Sequence, residues 1–366
     1  MHKQVAAAFD QRNYQMAAQL LKQWRRESPK DPWMMVFVGR LQEETNQLEA
    51  AEATYRKVLQ RVNNAKVVAQ ARQGLERLKQ QAEASRQQAL AQAKAAPGSD
   101  QPALLLLAPV KSEDRMTAAQ GLAEVMKIDP YIARMQIPGK VWRLYRVGPI
   151  GELEFYGQSL RQAQTPAFWV KLADINAAQV FRVCYFRAVT PQVKVVCQNQ
   201  ADQLGVIGFD WTEVSQRVTG LLPIFEKVID RGAWGKLEHK ERTQDYAQML
   251  DLHLHSRHCI LRLCDRTYQF QHGDPFNQSS PQVNTTINSG VTSTTRINWN
   301  NLLNQINQRV ACPLWSDFNS FAEGALEYID LLGSFNTHIN LFRSQPSNWD
   351  PAFQLYSGLI FLKQQV

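Results

Sequence analysis

The segment NYQMAAQLLKQWRRESPKDPWMMVFVGRLQEETNQLEAAEATYRKVLQRVN, residues 13–63, falls on itself when displaced by 34 residues. Asn13 and Tyr14 land on Gln47 and Leu48, Ala17 on Ala51, Leu21 on Tyr55, Trp24 on Val58 and Pro29 on Asn63. The small residues at 17 and 51 are each followed four positions later by a large apolar one. That spacing puts a point of close approach and a filling side chain on one helical face. Met35, Val38 and Gly39 continue the pattern on the preceding helix, where Gly39 lets a partner helix pack closely. A repeat of this period marks stacked helical hairpins, each burying its apolar face only against its neighbours.

These positions resemble the second helix and closing turn of tetratricopeptide repeats. The resemblance covers residues 1–65, with Asn63 where the repeat has proline and Gln42 where it has an aromatic. From 65 to 94 a third copy degenerates into one long helix. Its apolar seam is Ala71, Leu75, Leu78 and Ala82, and its polar remainder suits the cap of a stack. The resemblance implies a concave, peptide-binding face built from the first helix of each unit. Here that face carries Trp33, Val36 and Arg40, with Arg72 from the third element. Trp33 reads equally as packing between helices. The mixture of Arg40, Glu43 and Glu44 does not reproduce the basic clamp of repeats that bind chaperone tails, so capture of a carboxylate-terminated tail is not implied.

The expected fold class is multidomain. A helical repeat domain over 1–95 is followed by a linker at 96–102, rich in Pro, Gly, Ser and Asp. A small α/β sandwich over 103–176 then alternates strand, helix, strand, helix, strand. Its strands are expected at 104–109, 142–147 and 168–173, and its helices start near Ser112 and Asp129-Pro130 and across Leu153, Tyr156 and Leu160. Residues 177–366 are expected as an antiparallel β-rich domain with C-terminal helices. Its strands fall at 180–189, 193–197, 206–209, 221–228, 236–242, 246–255 and 258–270, and a disordered loop at 277–295 is rich in Ser, Thr and Asn. Helices are expected from Asn298, over 316–332, and from Asp350-Pro351, the last with Phe353, Tyr356 and Ile360 on one face folding back onto the sheet.

The 366 residues are 44% hydrophobic and 20% charged, so each domain can bury an ordinary core. The net charge of +8 is spread along the chain without a Lys/Arg block, a mild bias toward acidic partners. Five cysteines, an odd number with no CxxC spacing, do not form a secreted disulfide framework. The N-terminal MHKQVAAAFDQRNY lacks the apolar core of a signal peptide, and LLLLAPV from Leu104 falls far short of the ~20 residues a spanning helix needs. A cytoplasmic protein is expected, with contact to a membrane surface left open.

The candidate chemistry is sparse. His253, His255, His258 and Cys259, with Cys264 and His272 nearby, match no standard zinc spacing. The histidines are expected on the solvent side of a sheet and the cysteines as small apolar residues. There is no G-x-S-x-G elbow for a nucleophilic serine, and Gly148 and Gly151 lack the G-x-G-x-x-G spacing of a phosphate-binding turn. No catalytic residue, metal or cofactor is assigned. The runs 142–146 and 181–187 interleave aromatics with Arg, which on an open strand could stack bases and track phosphates. Buried rings with outward Arg is the favoured reading, and nucleic acid is disfavoured.

The segments QDYAQMLDLHLHSRHCILRLCDRTYQFQ, DFNSFAEGALEYIDLLGS and NWDPAFQLYSGLIFLK resemble the C-terminal region of certain cyanobacterial tetratricopeptide-repeat proteins, some described as related to photomixotrophic growth. That resemblance brings no active residues. It implies a non-enzymatic adaptor that supports photosynthetic or metabolic assemblies through a protein partner in the repeat groove. A nucleic-acid or anionic-surface binder is the alternative.

Overall fold

The computed structural model describes residues 1–231, 237–272, 276, 295–333, 335–343 and 346–363, with backbone alone for 227–231 and 237–242. The loop expected at 277–295 lies outside the described residues up to 294, and Thr295 begins a helix. The chain forms two compact units, 1–95 and 96–366.

The first unit is five consecutive helices: α1 (His2–Asp10), α2 (Tyr14–Glu27), α3 (Pro32–Glu44), α4 (Leu48–Arg61) and α5 (Ala65–Ala95). Side chains set the starts. Asn13 accepts from the Met16 N–H at 3.0 Å, and Asp31 accepts from the Trp33 N–H at 2.9 Å with Pro32 supplying the helical φ. The repeat is visible in the turns. The N–H groups of Gln11, Arg12 and Asn13 donate to the carbonyls of Ala7, Phe9 and Ala8, and those of Thr45, Asn46 and Gln47 donate to Leu41, Glu43 and Gln42. Donors and acceptors of the second turn each stand 34 residues after those of the first, as equivalent turns of successive repeats must. Arg12 and Asn46, at φ 54° and 59°, supply the left-handed residue of each turn.

The second unit contains β1 (Pro102–Leu107), α6 (Arg115–Met126), α7 (Pro130–Gln136), β2 (Arg143–Pro149), α8 (Ile150–Gln162), β3 (Ala167–Lys171) and α9 (Leu172–Ala177). It continues through β4 (Gln179–Ala188), β5 (Val193–Gln198), β6 (Leu204–Phe209), β7 (Gln216–Arg231), β8 (Leu237–Leu254) and β9 (Cys259–Cys264). It ends with α10 (Thr295–Arg309), β10 (Leu314–Trp315), α11 (Phe318–Ala325), α12 (Ile329–Leu332) and α13 (Trp349–Lys363). A three-stranded antiparallel sheet has the order β2-β1-β3, and a seven-stranded sheet has the order β10-β7-β8-β9-β4-β5-β6.

The structure corrects several expectations. The large sheet is mixed: β4 runs parallel to β9, and β10 parallel to β7. The strands expected at 236–242 and 246–255 are one strand, β8, paired along its length with an equally continuous β7. The helix expected over 316–332 breaks into α11, a 3-10 turn at Leu326–Tyr328 and α12. Residues 96–102 are not a free linker: the Ser99 and Gln101 carbonyls accept from the Gly151 and Ile150 N–H groups, tying this turn to α8. Nor do the segments 103–176 and 177–366 separate into two compact units. Leu104, Leu106, Trp142 and Leu144 share one core with Val218, Leu222, Phe318 and Phe353. The apolar run of β1 explains this, since a strand of alanine and consecutive leucines needs cover on both faces. Leu104 and Leu106 turn to that shared core, and Ala103, Leu105 and Leu107 to α6 and α8. α13 does fold back as expected, but it is buried on every side from Ala352 to Phe361 rather than along one stripe.

Candidate functional site

The helical array is held by one aromatic ring between two glycines. Tyr55 of α4 is buried, and a Cβ at Gly39 of α3 would stand 2.6 Å from its ring, one at Gly74 of α5 2.4 Å. Only hydrogen at both positions lets three helices close on that ring. The Tyr55 hydroxyl donates to Glu43 Oε2 at 2.9 Å, and Arg77 Nε and Nη2 donate to the two oxygens of the same carboxylate. Burial pushes the Glu43 carboxyl up, but the hydrogen bonds from Arg77 and Tyr55 outweigh it and hold it below the usual carboxylate range. Burial, and then the Glu43 bond, raises the Tyr55 phenol. The knot fixes the face of α3 relative to α5.

Trp33, Val36 and Arg40 lie on one stripe of α3, as their spacing requires. Trp33 is half-buried, edge-on to His2 with ring centroids 5.1 Å apart, so it both packs and reaches the surface. Arg40 is half-buried with its guanidinium 4.8 Å above the Phe9 ring. Val36 is buried in the core between α3, α4 and α5, leaving little of it to touch a partner. Arg72 is exposed in a different place. It lines a groove of about 620 Å³ between α4 and α5, with Glu49, Glu52, Arg56 and Glu76. The α5 side chain that hydrogen-bonds to α3 is Arg77. Residues 72 and 77 are five apart, which at about 100° per residue points them in directions well separated around the helix axis. The sequence signal for Arg77 was its place 34 residues after Glu43.

In the second unit the histidine expectation is met in part: His258 and His272 are exposed, though in turns rather than on a strand, while His253 and His255 are not. His253 is fully buried and His255 half-buried; neither faces solvent as a bare sheet residue would, because α13 covers that face. Ser357 of α13 donates to Asp251 Oδ2 at 2.6 Å, and its Oγ lies 2.9 Å from His253 Nε2. The hydroxyl has one proton and gives it to Asp251, so His253 must donate through Nε2, and its Nδ1 is buried without a partner. The order of contacts is carboxylate, serine, imidazole. A nucleophilic triad requires the imidazole in the middle, taking the serine proton. Burial also drives the His253 pKa down. Arg262 completes the cluster, bonded through Nε and Nη2 to both Asp251 oxygens and through Nη1 to Gln354 at 2.9 Å. It is a structural ion pair that ties β8, β9 and α13 together.

The thiols of Cys197, Cys259 and Cys264 are pushed up to about 11, chiefly by burial, as in small apolar residues rather than nucleophiles. Among the described residues no group of three or more His, Cys, Asp and Glu is placed to hold a metal ion. The aromatic and Arg runs place Trp142, Leu144 and Phe186 in cores. Arg146 pairs with Glu152 at 3.1 Å, and Arg182 pairs with Asp202. Tyr145, Phe181 and Tyr185 are half-buried, and Tyr185 stacks on the His272 ring. An open cavity of about 960 Å³ lies along β3 and the end of α13, walled by Trp142, Phe168, Val170 and Phe361, with Lys171, Glu154 and Asp174 at its sides.

Residues 8–75 match the family model described as tetratricopeptide repeat. No curated protein and no solved structure matches the chain. Tetratricopeptide repeats are non-catalytic modules that generally mediate protein–protein interaction. Among the described residues no helix is long and apolar enough to cross a membrane.

Proposed function

We propose that the chain is a non-enzymatic adaptor that docks a partner protein on the α3 face of its helical array, with Trp33 and Arg40 as the contacting side chains. The observation that carries this is the Glu43–Tyr55–Arg77 knot, which presets α3 against α5 and so presents the face without an ordering cost at binding. Arg72 belongs to the neighbouring α4–α5 groove, where an extended partner would find alternating Glu and Arg. A cytoplasmic setting is part of the reading. Its support is five free cysteines, four of them buried, which suits a reducing compartment. Support for a role with photosynthetic or metabolic assemblies comes from the resemblance of the C-terminal segments alone. The test is affinity capture with the intact chain and with residues 96–366, the second compact unit. Loss of the principal partner on removing residues 1–95 is expected; an unchanged set of partners would overturn the proposal.

A further inference from the structure

Among the described residues the large sheet ends on one side at β6, whose sequence LGVIGF has no charge and no proline. Natural sheet edges are usually blunted by Lys, Pro, a bulge or a covering element, because their unpaired N–H and C=O groups otherwise recruit another strand. β6 instead exposes Leu204 at 68% and Val206 at 51%.

The register says which main-chain groups are free. The Asn199 N–H donates to the Gln203 carbonyl at 3.1 Å, so 199 and 203 form a hydrogen-bonded pair at the mouth of the β5–β6 hairpin. Pairing then alternates: Gly205 and Ile207 face β5, while Leu204, Val206 and Gly208 turn their N–H and C=O outward. An independent contact agrees, for the outward Gly208 carbonyl accepts from Arg257 Nη1 at 2.6 Å. Leu204 and Val206 keep two donors and two acceptors with no strand partner among the described residues.

The charge beside this edge leans positive. Asp202 pairs with Arg182 and Glu213 with Arg257, and the exposed Asp210 just past β6 starts the 3-10 turn 211–213. Lys194, directly opposite Gly208, and Arg187 on β4 are exposed and form no ion pair among the described residues.

We propose that β6 is a docking edge for an extended segment of another protein, one that adds as a strand, sets apolar side chains beside Leu204 and Val206, and carries a carboxylate toward Lys194. Main-chain hydrogen bonds supply the affinity and alternate side chains the selectivity. This site belongs to the second unit, residues 96–366.

The test uses the full chain and fluorescent, end-blocked peptides of alternating Thr and Val, with Glu or with Lys at one end of the Val face, read by anisotropy at low and high salt. Preferential binding of the Glu peptide is expected, weakening with salt. Val206→Pro removes an outward N–H and no β5–β6 ladder bond, so the sheet survives and affinity falls about tenfold or more. Lys194→Glu should reverse the preference to the Lys peptide, a readout that misfolding would not give. No binding of the Glu peptide, or equal binding by Val206→Pro, overturns the proposal. A concentration-dependent dimer of the free chain that Val206→Pro abolishes also overturns it, by assigning the edge to a second copy.

Discussion

Arg77 grips the carboxylate of Glu43 with two hydrogen bonds of 2.8 Å across 34 residues of sequence, so one repeat period is bridged by a single ion pair. Because the folded state holds Glu43 below the ordinary range, its stabilisation is complete above the unfolded-state value and fades as pH falls through the lowered one. Arg77 is half exposed, and solvent screening limits the pair to about 1 kcal/mol or less. Thermal unfolding at neutral pH should show Glu43→Gln less stable than the parent chain. The two curves should converge as pH falls through the lowered Glu43 value.

Gly74→Ala reverses an ordinary rule. In a helix interior the change would normally add about 1 kcal/mol of stability. Here the new methyl meets the Tyr55 ring at 2.4 Å, and a net loss of about 1–3 kcal/mol is expected in denaturant titration of the helical unit. Gly39→Ala should act in the same direction. In a Tyr55→Leu background the penalty should shrink, since a smaller side chain vacates the contact.

Arg12→Gly should stabilise. A non-glycine residue in the left-handed region costs about 1–2 kcal/mol, more than the extra unfolded-state entropy a glycine brings. A gain of about 0.5 kcal/mol is expected at Arg12, and less at Asn46, since asparagine tolerates this conformation. Chemical denaturation midpoints of the two variants would show the order.

The buried cluster under α13 gives a larger effect. Asp251→Ala leaves the Arg262 guanidinium buried without its counter-ion and should cost about 3–5 kcal/mol. Ser357→Ala removes a neutral link and should cost about 1–3 kcal/mol. His253 carries a lowered pKa, so it contributes stability above the ordinary histidine value and loses it as pH drops below. Parallel melts of His253→Gln and the parent chain should therefore diverge less at pH 5 than at pH 7.5.

The parts of the fold that were legible in the sequence are those set by local chemistry. Asp129-Pro130 starts a helix through its own carboxylate and ring, and the displacement of 34 is a property of the string itself. What sequence could not supply was partnership. Nothing local distinguishes a His253 on a solvent face from one roofed by a helix whose Ser357 stands 104 positions later. Nor does anything local separate a β4 that pairs with β5 alone from one that also runs parallel to β9. That Arg72 lies on the α4–α5 groove and not on the α3 stripe was hidden for a related reason. Which α5 residues face α3 is set by tertiary packing, seen in the Tyr55 ring on Gly74 and in the Arg77–Glu43 pair.

The central claim is that the α3 face of the helical array is where a partner docks. Hydrogen–deuterium exchange of the full chain with and without its captured partner tests it most directly. Added protection in α3 around residues 33–40, with α8 and β8 unchanged, is the expected result. Protection confined to residues 96–366, with α3 exchanging as in the free chain, would contradict it.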